Sequence, residues 1–207
     1  MRARTCSYLS VSACFGPAPA EVQAGVGPGT LAGLRECLVE LTKIECIPLA
    51  GYAYDTDMEE IQTFRCFLTE FLEVRRWRLY RAEWTIYDEV VMVAGQIDAV
   101  FVDCSGALHM IDWKRVRHPL LPTSGEKFQR YGMSLCEHLL DNHFNHYALQ
   151  QNLYSAILRR RYALHLSSMA LVQIHPEVMH YHVIDVPEWR KLADDLLDAS
   201  GATAKTV

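Results

Sequence analysis

The chain has 207 residues, half of them apolar and 22% charged, which is room for one domain with a full core and excludes a disordered or fibrous polypeptide. Twenty Lys and Arg against 25 Asp and Glu leave a net charge of −5, so a wholly basic nucleic-acid coat is excluded while a local basic groove is not. Charge breaks every apolar stretch before the roughly 20 residues that span a bilayer, and no membrane partner is expected. The 7 cysteines are odd in number and form no CxxC pair, which reads as reduced thiols of an intracellular, cytoplasmic or nuclear protein.

Residues 1–29 carry Gly16, Gly25, Gly27, Gly29, Pro17, Pro19 and Pro28 with no acid before Glu21, and are expected to form a flexible N-terminal arm. Arg2 and Arg4 are thin support for an organellar leader. A single domain is expected over 30–200, with a tail at 201–207. Leu31, Leu34, Leu38 and Leu41 recur at helical spacing behind Thr30, a candidate N-cap. A second amphipathic helix is predicted from Asp57, with Met58, Ile61, Phe64, Leu68, Phe71 and Leu72 on one face.

The period then changes. Leu79–Tyr87, Val90–Asp103 and Ala107–Val116 are rich in Val, Ile, Trp and Tyr and punctuated by Asp88-Glu89 and Cys104-Ser105-Gly106, which predicts three antiparallel strands joined by tight turns. Pro119 and Pro122 open a polar loop, and a helix is predicted over 144–161. Ser168–Ile174 and Met179–Val186 read as two further strands, and Pro187 as the start of a terminal helix. The order ααβββαββα is that of an α/β domain with a mixed sheet.

Two of these strands carry acids where apolar residues belong: Asp98 in Gly95-Gln96-Ile97-Asp98-Ala99-Val100, and Asp112 in Met110-Ile111-Asp112-Trp113-Lys114. A carboxylate inside an apolar strand costs several kcal/mol to desolvate unless it is paired. Strand alternation puts Asp112 and Lys114 on one face; if Asp98 shares it, two anionic ligands and an ammonium converge. Two carboxylates with water suit Mg²⁺ or Mn²⁺, leaving an incomplete shell for a phosphate oxygen. A nearby lysine then holds the attacking water or neutralises the phosphorane. A buried structural Asp–Lys pair is the alternative.

Gly95-Gln96-Ile97-Asp98, Ile111-Asp112-Trp113-Lys114 and Tyr147-Ala148-Leu149-Gln150-Gln151-Asn152-Leu153-Tyr154 together resemble the PD-(D/E)xK nuclease superfamily, in its RecB-like and lambda-exonuclease-like branch. The likeness spans roughly residues 79–175 and implies a restriction-endonuclease-like αβββαβ core with a mixed central sheet flanked by helices. By resemblance, Asp98 and Asp112 are metal ligands, Lys114 is the catalytic lysine and the carbonyl of Trp113 is a further ligand. Glu83 resembles the upstream acid, binding metal directly or through water, with a surface strand acid as the rival reading. Gln150, four residues before Tyr154, resembles the motif glutamine, and Gln151 is its rival.

The resemblance implies a Mg²⁺- or Mn²⁺-dependent exonuclease on DNA ends, in repair, replication or recombination. The alternatives are a structure-specific or restriction-type endonuclease and a catalytically inactive nucleic-acid-binding scaffold. Arg78, Arg81, Arg115 and Arg117 are candidates to track phosphates beside the metal. Arg159, Arg160 and Arg161 read as the basic end of a helix. His138, His143 and His146, and His175, His180 and His182, cluster without cysteines at zinc spacing, and iron–sulfur spacing is absent too. Without G-x-x-x-x-G-K-[ST], a partner helicase or polymerase would be a separate chain or a missing domain.

Overall fold

The computed structural model describes residues 59–123 and 130–204. The arm expected at 1–29 and the helix expected over Leu31–Leu41 lie outside the described residues. Helix α1 (Glu59–Cys66) continues as a π-helical segment (Phe67–Glu73). Five-residue spacing in that segment places Phe67 and Leu72 on the face that already carries Ile61 and Phe64, and all four are buried.

Strands β1 (Arg78–Asp88), β2 (Val93–Val102) and β3 (Leu108–Lys114) form the expected antiparallel meander. The turn after β2 is closed by Asp103, whose carboxylate accepts from the Ser105 hydroxyl and from the Ser105 and Ala107 amides. Helix α2 (His143–Tyr162) carries the chain back to β4 (Leu166–Gln173), which pairs with β3 in parallel, as a crossover connection demands. Strand β5 (His182–Asp185) runs antiparallel to β4, and α3 (Arg190–Ala204) ends the described chain. The result is an α/β fold whose mixed sheet, ordered β1-β2-β3-β4-β5, is flanked by helices. No helix among the described residues is long and apolar enough to cross a membrane.

Both sheet faces are buried. Ala99, Phe101, Ile111, Ala170 and Val172 pack with α1, while Val100, Met110, Met169 and Leu171 pack with α2 and α3. Helix α2 is fastened at each end. The Asn142 side chain accepts from the Asn145 amide at 2.8 Å, and Ala163, at φ 53°, closes the C-terminus through its amide to Leu158.

The three arginines before that cap do more than meet the helix dipole. Arg159 holds both carboxylate oxygens of Asp194 at 2.7 Å, Arg160 reaches Asp194 and Asp198, and Arg161 pairs with Asp88 and Glu89 in the β1–β2 turn. Helix α3 begins at Arg190, three residues later than Pro187 suggests. The buried Asn152 side chain explains the delay, because it donates to the Pro187 carbonyl at 3.0 Å and accepts from the Trp189 amide at 2.5 Å, holding that segment outside the helix. β5 is likewise shorter than Met179–Val186.

Candidate active site

The β2–β3 ladder runs from Val102↔Leu108 to Ala99↔Ile111. One residue further, the Asp98 side chain takes the place of a backbone acceptor: its Oδ2 receives the Trp113 amide at 3.0 Å. The acid therefore sits where the two strands part.

The alternation of β2 changes phase at the same point. Gly95 and Ile97 face α2, yet Ala99 and Phe101, of the same parity, pack with α1. In β1 the matching irregularity is Glu83, which falls between the pairs Ala82↔Ala99 and Trp84↔Ile97 and has φ 49°, a left-handed conformation that costs a non-glycine residue on the order of 1 kcal/mol or more. Glu83 thus stands opposite Asp98. Its Oε2 accepts from Gln96 Nε2 at 2.6 Å.

On β3, Ile111 and the Trp113 ring pack with α1, the ring edge-on to Phe64 at 5.4 Å, so Asp112 and Lys114 take the opposite side. Lys114 Nζ is 2.5 Å from Asp112 Oδ2, with side-chain exposures of 17% and 7%. The contact is close but not aligned as a hydrogen bond, and Asp112 Oδ2 is a buried oxygen with no hydrogen-bond partner among the described residues. On its other side the ammonium lies 4.4 Å from the centre of the Tyr147 ring on α2.

The electrostatics follow from this crowding. Burial, reinforced by the Asp112 charge, pushes the Asp98 carboxyl up to about 7, against the opposing pull of Lys114 and the Trp113 amide. Burial alone would lower the Lys114 ammonium, but Asp112 and Asp98 outweigh it and the net direction is upward. Burial also raises the hydroxyls of Tyr147 and Tyr154.

Helix α2 closes the site. The Tyr154 ring lies over Gly95, and Gln150 Nε2 donates to the Tyr154 hydroxyl at 2.9 Å. Gln151, the rival glutamine, is buried and donates to the Ala170 carbonyl of β4 at 2.9 Å, fixing helix to sheet. Two contributors were not anticipated. Tyr147 lies one turn before Gln150, a spacing that marks a shared helix face. Gln173, paired in register with Lys114, donates to the carbonyls of Val116 and His118 at 2.7 and 3.0 Å and so directs the chain leaving β3; a lone buried glutamine carries no signal of that in the sequence.

The candidate phosphate-tracking arginines are dispersed. Arg78 starts β1 and is exposed; Arg81 lies 4.9 Å over the Trp84 ring. Arg117 pairs with Glu177 at 2.8 Å in an exposed contact, whereas Arg115 is tied at 2.9 Å to Glu60, a buried acid of α1. The described residues hold no group of three His, Cys, Asp or Glu arranged to take a metal ion. His109 bonds Ser168 at 2.8 Å and stacks on Trp77, and His146 bonds Asp141 at 2.7 Å.

No family model matches the chain, and no curated protein matches it. Among solved structures it is similar to a "Putative exonuclease" from Eubacterium rectale, with 12% identity and a TM-score of 0.47 over 96% of this chain and 79% of that one.

Proposed function

We propose that the chain is a divalent-metal-dependent deoxyribonuclease of the PD-(D/E)xK type, in the RecB-like and lambda-exonuclease-like branch, acting on DNA ends. The observation that carries this reading is Asp112 Oδ2, buried, in contact with Lys114 Nζ and lacking a hydrogen-bond partner among the described residues, next to Asp98 at the parting of β2 and β3. Two acids and a lysine gathered in a buried site are costly as a purely structural device.

The donor set fits Mg²⁺ or Mn²⁺, since Asp98, Asp112 and the Trp113 carbonyl are hard oxygen donors, and Glu83, bonded to Gln96, would add a further oxygen directly or through water. When bound, such an ion supplies charge that polarises the phosphodiester and acidifies a bound water. The chain's own residues do the rest. Lys114 orients the water whose oxygen forms the new P–O bond and offsets charge on the phosphoryl oxygens as the P–O bond to the leaving sugar oxygen breaks and that oxygen takes up a proton from solvent. Gln150 and Tyr154 form the wall facing it. Arg78, Arg81 and Arg117 bind backbone phosphates. The preference for ends rests on the branch resemblance.

The test is cleavage of 5′-labelled and 3′-labelled linear DNA and of circular plasmid with Mg²⁺, Mn²⁺ or EDTA, comparing wild type with Asp112→Asn and with Asp112→Ala, each variant shown by circular dichroism to be folded. Metal-dependent shortening lost in the variants, with the plasmid left intact, is expected. Nicked plasmid would favour the endonuclease, and folded wild-type protein that cleaves no DNA under any metal would overturn the reading in favour of a scaffold or an RNA substrate.

A further inference from the structure

We propose that Tyr147 is a positioning residue for Lys114, its ring holding the ammonium in place for the cleavage step; the inference rests on the nuclease reading above. A lysine is a point charge on a flexible four-carbon stem, so something must fix its head. Asp112 cannot do this alone. It lies two residues earlier on the same strand face, and the pull of Oδ2 at 2.5 Å draws Nζ onto a carboxylate that the same site needs as a donor.

Tyr147 supplies the opposing hold. Its ring centre is 4.4 Å from Nζ, within the range of a cation–π contact. A ring attracts the ammonium without using up any of its three N–H donors, which stay available to a water and to Asp112. A carboxylate or amide in that place would consume one.

The ring is itself firmly based. Phe144 and Ala148 on either side of it in sequence are buried, the His143 ring stacks on it at 6.2 Å with planes 22° apart, and the helix start is capped by Asn142 one turn earlier. It is the aromatic face of Tyr147 that the Lys114 ammonium meets.

The experiment compares wild type, Tyr147→Phe and Tyr147→Leu by single-turnover and steady-state cleavage of end-labelled DNA, and by NMR of the Lys114 ε-methylene in Lys-labelled protein. The ring current should shift the Lys114 signals upfield in wild type and in Tyr147→Phe and leave them at ordinary positions in Tyr147→Leu. Tyr147→Leu should lower kcat about tenfold with KM little changed, and Tyr147→Phe should stay within about twofold of wild type. Equal loss in both variants would assign the effect to the hydroxyl and overturn the proposal, as would a Leu variant with wild-type kcat. If the wild type cleaves nothing, the nuclease reading fails by itself, and absence of the upfield shift then separately overturns the placement of Lys114 on the ring.

Discussion

The ring of Tyr154 occupies the space a side chain on residue 95 would need: a Cβ at that position would overlap Cε1 and lie 2.8 Å from Cζ of that ring. No real contact is that short, so the helix bearing Gln150 and Tyr154 approaches the strand bearing Asp98 only because residue 95 is glycine. Gly95→Ala should therefore push the ring away, costing about 1–3 kcal/mol of stability by overpacking and breaking the Gln150–Tyr154 contact. Denaturant melts of Gly95→Ala, Tyr154→Ala and the double variant check this. The double variant should be more stable than the sum of the single losses predicts, because removing the ring makes room for the methyl. Strict additivity would mean the two residues do not meet.

Lys114→Ala is the obvious test of the catalytic role proposed for Lys114, and the geometry shows why it is a poor one alone. The ammonium is the charge partner of Asp112, whose side chain is 7% exposed. Deleting one member of a buried pair leaves an uncompensated charge and costs roughly 3–5 kcal/mol. Metal-free Lys114→Ala should thus melt well below wild type. Asp112→Asn combined with Lys114→Met should recover much of that stability while cleavage stays lost. A Lys114→Ala protein as stable as wild type in EDTA would show that the pair is not buried as described.

The pH dependence of metal-free stability has a defined sign. In the fold, Asp98 keeps its proton up to about pH 7, because burial and then the Asp112 charge disfavour the carboxylate. In the unfolded chain it loses that proton near pH 4. Between those values the folded state binds more protons than the unfolded one, so stability falls as pH rises and levels off above about 7. The expected loss is on the order of 2–4 kcal/mol, at about 1.4 kcal/mol for each pH step. Asp98→Asn should flatten this slope while still accepting from the Trp113 amide. Thermal melts in EDTA from pH 4 to 8 read it directly, and an unchanged slope in the variant would place the titration elsewhere.

Much of this arrangement was legible because strands reveal themselves by period. The meander of β1, β2 and β3, and the acids that violate its apolar pattern, follow from alternation and turn residues alone. The side on which Asp98 lies did not follow. β2 changes phase between Ile97 and Ala99, opposite a left-handed Glu83, and glutamate carries no mark of that conformation in a sequence. Pro187 misled for a related reason: its preference for a helix start was overridden by Asn152, a tertiary contact from 35 residues away. The role of Arg159, Arg160 and Arg161 was likewise only partly readable, since the dipole argument sees the helix end but not Asp194 or Asp88.

The arginines give the last prediction. A charge that meets DNA phosphate displaces counterions, and each such contact contributes about 0.7–0.9 to the slope of log affinity against log salt. Arg78 and Arg81 are exposed on β1, the strand that also carries Glu83, and among the described residues Arg81 is held by stacking on Trp84 at 4.9 Å. Arg115 is committed: its guanidinium is bonded at 2.9 Å to Glu60, whose side chain is 6% exposed. Moving Arg115 to a phosphate would strand that acid in the interior, at a cost no single exposed contact repays. Binding of a labelled duplex in Ca²⁺ or EDTA, titrated with salt, should therefore show a shallower slope, by about one each, for Arg78→Ala and Arg81→Ala. Arg115→Ala should keep the wild-type slope and instead lose stability. A slope reduced by Arg115→Ala with unchanged melting would mean that Glu60 releases the guanidinium on binding and that DNA contacts reach the α1 side of the sheet.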